Sequence, residues 1–284
     1  MIGSVGITLE DALELQAPEV LAAYGAVLLV PGIVLLPVIG WLVRRSWPDQ
    51  PRATAPCLGA LDLFVLAALY LALQMVIGGV VLGPVAEPGE PVVVPVHTAL
   101  WINASAMLGA AALALSRARR TVGGLASLGL RRGRNLLAAR LGAGSWVLLV
   151  PMLWGLALVW PWIFESLGGD YAPQPWGEGI ARVEGGAKRA EVVLFAALII
   201  PVLEEVLFRG AMQPCLVRLF GPVGGIGTTA AVFAALHDVG AYLPVLSLAV
   251  LLGWLAWRTG RLAAPIAVHV IHNGVQTAIL FAAP

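Results

Sequence analysis

Long apolar runs separated by short polar loops are the feature that most constrains how this chain folds. Eight runs approach the roughly 20 residues that a helix needs to cross a bilayer. Hydrophobic residues make up 60% of the 284 residues and charged residues 12%, against about 45–50% and 25% in soluble domains. A soluble fold has too little interior to cover so much apolar surface. The sequence therefore predicts an all-α, polytopic membrane protein with spans at about 20–43, 60–85, 92–115, 141–164, 191–208, 224–237, 243–257 and 262–281.

The distribution of arginine between the loops predicts the orientation in the membrane. Of 17 basic residues, thirteen arginines fall in the loops that follow the first, third, fifth and seventh predicted spans, and three basic residues fall in the 165–190 loop. Cytoplasmic loops carry an excess of Lys and Arg, so the first set of loops is expected to be cytoplasmic. An even number of spans then places both termini outside the cytoplasm. We expect a multi-pass protein of the cell's inner or plasma membrane.

Charge and cysteine content exclude several classes of function. The formal net charge is +1, so the chain has no polybasic character and no nucleic-acid partner is expected. The two cysteines, Cys57 and Cys215, provide neither a disulfide framework nor a CxxC metal site. The chain also lacks the HExxH and GxSxG motifs of other hydrolases.

Polar side chains inside the membrane are concentrated in the last four predicted spans. An ionisable group at that depth costs at least about 2.5–3.5 kcal/mol on insertion scales and suggests a functional site. The first three spans carry few such groups, so residues 1–115 are predicted to be a three-helix scaffold. The polar residues are Glu204, Glu205 and Arg209 in the fifth span, His237 at the end of the sixth, and His269, His272 and Asn273 in the eighth.

The fifth predicted span contains two adjacent glutamates with different expected surroundings. Glu205 and Arg209 are i,i+4 neighbours on a helix and can form an ion pair. Glu204 is turned about 100° away and has no local cation. Such a carboxylate suits a general base or a metal ligand. The alternative is a structural Glu–Glu–Arg cluster that joins helices.

The sixth and eighth predicted spans supply hydrogen-bonding groups. A single histidine at a helix end, such as His237, is more often a structural residue than a catalytic one. His269 and Asn273 are i,i+4 and share a helix face, which fits an oxyanion site, and His272 could also face inward. The alternative for this second motif is hydrogen bonding between helices. Glutamate, two histidines and asparagine on three separate spans nevertheless favour a reacting centre.

These three motifs, in this order on late spans, resemble those of the CPBP family. That family includes CAAX prenyl endopeptidases of the Ras-converting type and bacterial Abi or bacteriocin-processing proteins. The resemblance covers about residues 190–281 and implies that residues 116–284 form a CPBP-type protease core. It further implies about eight transmembrane helices around a conical intramembrane cavity that opens to the cytoplasm. The matching segments are Glu204-Glu205-x-x-x-Arg209, Phe233-x-x-x-His237 and His269-x-x-x-Asn273.

The resemblance implies an intramembrane endopeptidase that hydrolyses a peptide bond near the membrane surface. In this interpretation Glu204 activates water and His237 helps to hold it. His269 and Asn273 stabilise the tetrahedral oxyanion. The expected supporting residues are Glu205, Arg209, Phe233 and His272.

The need for a metal is left open by the residues. Glu204, His237 and His269 could form a His₂Glu zinc site with an open fourth position, or the same residues could act without metal around a glutamate base. No other cofactor is expected. The expected partners are the lipid bilayer and a peptide or membrane-protein substrate, and the sequence contains no signal for an oligomeric state. The alternatives are a non-enzymatic membrane scaffold or immunity protein and a proton-coupled transporter.

Overall fold

The computed structural model describes residues 18–48, 58–82, 94–169 and 175–282, and these form helices and no strand. In chain order the helices are α1 (Pro18–Ser46), α2 (Ala60–Leu82), α3 (Val96–Arg119), α4 (Asn135–Ser166), α5 (Pro175–Ala181), α6 (Gly186–Val192), α7 (Ile200–Glu204), α8 (Gln213–Ala235), α9 (Tyr242–Thr259) and α10 (Ala263–Ala282).

Six helices in the described part of the chain are long and apolar enough to cross a membrane, namely α1 to α4, α10, and α9 together with the short turn before it. The predicted all-α polytopic membrane fold is therefore confirmed. The count of eight spans stays a prediction, because the fifth and sixth predicted spans form segments that do not meet the length and hydropathy of a span by themselves.

The predicted fifth span is a helical run that changes its hydrogen-bonding pattern three times, at Val193, Ile200 and Glu205. Two π-helical segments, π1 (Val193–Ile199) and π2 (Glu205–Met212), lie on either side of α7. Such segments are rare and often occur at functional sites. The two adjacent glutamates therefore lie at the junction where α7 ends and π2 begins.

Gly221 divides α8 into two helical arms at a kink, three residues before the predicted sixth span begins at Gly224. Its φ of 72° and ψ of 174° are a conformation that glycine adopts without steric cost. The two arms of the turn pack together, since a Cβ added at Gly225 would contact the backbone of Val217. The second arm of α8 then leads towards His237.

Glycines allow α1 and α4 to approach closely. A Cβ added at Gly25 would lie 2.7 Å from the carbonyl oxygen of Gly155, and one at Gly155 would lie 2.8 Å from that of Gly25. Helices gain little by burying apolar surface that lipid already covers, so close backbone packing of this kind holds them together. Since α4 also packs against α9 and α10, it links α1 to the second half of the chain.

The first three helices do not pack as one unit in the described residues. α1 packs mainly against α4, whereas α2 and α3 pack against each other. Hydrogen bonds from Tyr70 Oη (2.8 Å) and from Gln74 Nε2 (3.1 Å) to Asn103 Oδ1 help to join α2 to α3. The division of the chain at residue 115 stays a prediction.

Arginine-rich loops meet around Trp47, just after α1. The guanidinium carbons of Arg134 and Arg261 lie 4.0 Å and 5.7 Å from the centroid of the Trp47 ring. Arg258 Nη2 donates to the Trp47 carbonyl oxygen at 2.6 Å. The loops that follow α1, precede α4 and follow α9 therefore share one end of the bundle, here called the arginine end.

The opposite end carries the turn between α8 and α9. α4 begins beside Arg134, and Trp160 lies roughly two turns before its far end. Trp160 Nε1 donates to the carbonyl oxygen of Val239 at 2.7 Å. His237 precedes Val239 by two residues, so it lies towards the end of the bundle away from the arginines.

Single-cysteine variants should place these two ends on opposite sides of the membrane. In a background without Cys57 and Cys215, an impermeant maleimide should label Val239→Cys in intact cells. It should label Arg120→Cys after permeabilisation, because the arginine end is expected to be cytoplasmic. Labelling of both positions from the same side would contradict the arrangement.

Replacement of Gly155 by Leu should destabilise the pair of α1 and α4. The new side chain would occupy the space of the Gly25 backbone, and overpacking typically costs about 1–3 kcal/mol. We expect a lower thermal unfolding temperature in detergent. Gly79→Leu on α2 is the matched control, since a Cβ at Gly79 meets no atom within 4 Å. Equal unfolding temperatures for the two variants would show that the close glycine contact is dispensable.

Candidate active site

Three buried side chains form a continuous polar contact between π2 and α10. Arg209 Nη1 donates to Glu205 Oε1 at 3.0 Å, so the ion pair expected from the i,i+4 spacing is present. His269 Nδ1 lies 2.8 Å from the same carboxylate oxygen. A carboxylate oxygen accepts hydrogen bonds, so this contact assigns a proton to Nδ1. Glu205 thus fixes the position of both Arg209 and the imidazole.

Glu204 contacts the other nitrogen of the same imidazole. Its Oε2 lies 3.5 Å from His269 Nε2, and its side chain is 12% exposed, compared with 0% for Glu205. With the proton on Nδ1, Nε2 presents a lone pair to a carboxyl oxygen, so a second proton or a water molecule must join the two atoms. Glu204 is therefore the glutamate of the pair that water can reach.

The Phe233 ring lies between the two histidines of the site. Its centroid is 4.6 Å from that of His237 and 5.8 Å from that of His269. The guanidinium carbon of Arg209 lies 4.4 Å from the Phe233 centroid, within range of a cation–π interaction. The buried ring therefore contacts side chains from three parts of the cluster.

His237 has one ring nitrogen available to a ligand. Its Nδ1 lies 2.8 Å from the carbonyl oxygen of Phe233, an acceptor, so the proton is assigned to Nδ1. Nε2 is then an acceptor in the neutral imidazole. His237 is exposed.

Asn273 lies one helical turn beyond His269, and its side chain contacts π1. Its Nδ2 donates to the carbonyl oxygen of Ala196 at 3.0 Å. An amide group has two N–H donors, so this bond leaves one hydrogen for a ligand. Ala196 is not among the residues predicted from the sequence, because a backbone acceptor depends on how two helices pack and leaves no residue pattern.

His272 lies apart from the contact between Glu204 and His269. Its Nδ1 accepts a long hydrogen bond of 3.4 Å from Trp146 Nε1 on α4. Three residues along a helix rotate a side chain by about 300°, which turns His272 to a neighbouring face. The sequence allowed His272 to face inward. In the structure its side chain contacts α4 and not the candidate active site.

The expected zinc ligands are not gathered into a metal-binding set. In the described ranges, no three His, Cys, Asp or Glu side chains are placed to hold a metal ion. Glu204 and His269 are close enough to share an ion, and the hydrogen bond from Glu205 to His269 is of the kind that orients metal-binding imidazoles. His237, however, lies across the Phe233 ring. As placed, the residues do not fit a three-ligand zinc site.

The exposed part of the site faces away from the arginine end. The resemblance implies a cavity that opens to the cytoplasm, which is the side predicted for the arginine loops. The structure instead places the exposed His237 towards the other end, because the second arm of α8 runs back from Gly221 before His237 is reached. The orientation of the molecule in the membrane stays a prediction.

The family comparison agrees with this cluster. Residues 187–275 match a family model described as "Rce1-like: Type II CAAX prenyl endopeptidase Rce1-like". The matched segment contains all of the candidate site residues. The resemblance to the CPBP and CAAX protease family is therefore confirmed over residues 187–275. No curated protein and no solved structure matches the chain.

Variants of the two glutamates should distinguish a residue that stabilises the fold from one that is proposed to take part in catalysis. Glu205→Gln and Arg209→Ala each leave one buried charge uncompensated, at a cost of roughly 3–5 kcal/mol. Glu204→Gln removes a carboxylate that no cation pairs with directly in the described residues. Thermal unfolding of the purified proteins should therefore show large losses for the first two variants and a small loss for Glu204→Gln. Equal unfolding temperatures for all three would contradict this division of roles.

Proposed function

We propose that this protein is a CAAX-protease-like intramembrane endopeptidase in which Glu204 activates the attacking water. The observation that carries the proposal is the contact between Glu204 and His269. The neighbouring Glu205 binds both Arg209 and His269, whereas Glu204 has only the longer contact of 3.5 Å with His269. A partly exposed carboxylate beside an imidazole is suited to general base catalysis.

The proposed reaction begins with a water molecule beside Glu204 Oε2. Glu204 takes a proton from the water while the water oxygen bonds to the carbonyl carbon of the scissile peptide. The electron pair of the carbonyl π bond moves to its oxygen. When the C–N bond breaks, the proton held by Glu204 passes to the leaving amine. His237 orients the water through its Nε2 lone pair.

His269 and Asn273 are the proposed donors to the oxyanion. Asn273 has one amide hydrogen left after its bond to Ala196. His269 donates from Nε2 when that nitrogen is protonated, and Glu205 stabilises the resulting imidazolium by accepting from Nδ1. Fixed donors of this kind need no reorganisation when charge develops in the transition state.

Zinc remains the alternative to this metal-free route. Zinc held by Glu204, His237 and His269 would supply Lewis-acid activation of the water. Among the described residues these three side chains do not fit such a site as placed, so no step is assigned to zinc. Chelation distinguishes the two routes. Activity that survives a strong chelator supports the glutamate mechanism, and activity that is lost and then restored by zinc supports the metal site.

The first test is peptide hydrolysis by the purified full chain in detergent. The family description suggests prenylated CAAX peptides as the first probe, and a mixed peptide library extends the search to other sequences. Glu204→Gln should abolish product formation, as measured by mass spectrometry. Cleavage by Glu204→Gln at the wild-type rate would contradict the proposed mechanism. Absence of any cleavage by the wild-type chain would favour the alternatives, a non-enzymatic membrane scaffold or a proton-coupled transporter.

Asn273→Ala should lower turnover on the order of 10²–10³-fold, the usual effect of removing one oxyanion donor. Asn103→Ala on α3 is the matched control, because it removes an equivalent amide that bonds to Tyr70 outside the site. Both variants should remain folded. Equal turnover in the two variants would remove Asn273 from the catalytic step.

A further inference from the structure

A groove of about 970 Å³ lies between α1, α4 and α9, separate from the candidate active site. Leu149 and Met152 of α4 contribute to its lining between the residues of the other two helices. Its volume is at the upper end of the roughly 300–1,000 Å³ typical of ligand pockets. The residues that α1 and α9 contribute include Leu36, Gly40, Trp41, Val250 and Trp254.

The groove is apolar along its length and faces outward. Trp41 is 57% exposed and Val250 44% exposed, although both line the groove. In a membrane protein, apolar surface of this kind is covered by lipid chains or by another helix. The Trp side chain is also typical of the interface between acyl chains and headgroups.

Two arginines lie at one end of this apolar surface. Arg44 and Arg45 belong to the last turn of α1 and line the groove. The Arg45 guanidinium carbon lies 5.4 Å from the centroid of the Trp41 ring. Among the described residues, neither arginine forms an ion pair with a carboxylate. The mouth of the groove therefore presents positive charge at the level where lipid headgroups are expected.

The surrounding arginine end adds to this positive charge. Arg261 Nη1 donates to Asn135 Oδ1 at 2.9 Å and to the carbonyl oxygen of Arg131 at 3.2 Å, both neutral acceptors. Burial lowers the pKa of Arg261, and the nearby charges of Arg131 and Arg134 lower it further. Arginines that repel one another in this way attract an anion to the same end of the molecule.

We propose that this groove binds an anionic phospholipid from the leaflet at the arginine end. The phosphate binds to Arg44 and Arg45, and an acyl chain lies along the apolar residues of α1, α4 and α9. Basic pockets between helices commonly bind anionic headgroups in this way. A second copy of this chain is the less suitable occupant, because it would bring the same arginines to the contact by symmetry.

The site shares α9 with the candidate active site but contains none of its residues. Leu246 and Val250 line the groove, while the carbonyl oxygen of Ala249 between them accepts from Arg209 Nη2 at 3.4 Å. Because the groove contains no candidate active-site residue, lipid binding to it can be measured without an enzymatic assay.

Native mass spectrometry of the full chain in detergent tests the proposal directly. The protein is titrated with phosphatidylglycerol, which is anionic, and with phosphatidylcholine, which is zwitterionic. We expect phosphatidylglycerol to bind more tightly, and Arg44→Gln/Arg45→Gln to weaken it on the order of tenfold, since each basic residue contributes substantially to such binding. Arg119→Gln/Arg120→Gln is the matched control, because it removes equal charge from α3 and the residue after it, outside the groove.

A second variant fills the groove without changing the charge. A Cβ at Gly40 meets no atom within 4 Å, so Gly40→Leu should fold normally and reduce phosphatidylglycerol binding. Gly79→Leu, at an equally open position on α2, should bind as the wild type does. Excess glycerol 3-phosphate should not displace the lipid, because it lacks the acyl chain.

Three outcomes would overturn the proposal. The first is equal binding of the two lipids by the wild-type chain. The second is equal phosphatidylglycerol binding by the Arg44/Arg45 and Arg119/Arg120 variants. The third is a dimer that Gly40→Leu dissociates while lipid binding stays unchanged, which would assign the groove to a second copy of the chain.

Discussion

One buried carboxylate oxygen, Oε1 of Glu205, connects the parts of the candidate active site. It accepts from Arg209 on the same helical run and from His269 on α10, at 3.0 Å and 2.8 Å. Because an uncompensated charge is costly at membrane depth, removal of Arg209 would cause a large loss of stability. The imidazole is therefore held with Nε2 facing Glu204. The adjacent glutamates have separate tasks for this reason, since one orients the histidine and the other remains open to water.

The helix type changes from α to π between the two adjacent glutamates. Glu204 is the last residue of α7 and Glu205 is the first residue of π2, and their exposed fractions are 12% and 0%. The second arm of α8 places Phe233 against both histidines and Arg209. The candidate site thus lies on helical segments that are too irregular to resemble ordinary membrane spans. Of the regular apolar helices, α3 packs against π1, α7 and π2. The helices α1, α4 and α9 line the groove at the arginine end.

Features that depend on composition and on neighbours along one helix can be predicted from the sequence alone. An apolar fraction of 60% dictated an all-α membrane protein, since such a chain must satisfy its backbone groups inside lipid. The spacing of Glu205 and Arg209 predicted their ion pair, because i,i+4 residues meet on any helix. The motifs around Glu204, His237 and His269 also indicated the family to which residues 187–275 were matched.

Features that depend on contacts between helices can be seen only in the three-dimensional structure. The Ala196 acceptor of Asn273, the Trp146 partner of His272 and the position of Phe233 between two histidines arise from packing. The turn at Gly221 sets the end of the bundle to which His237 is exposed. Contacts of this kind involve backbone atoms or residues far apart in the chain, so no local periodicity encodes them. The groove, likewise, exists because α1 and α9 both pack on α4, an arrangement that no single apolar run specifies.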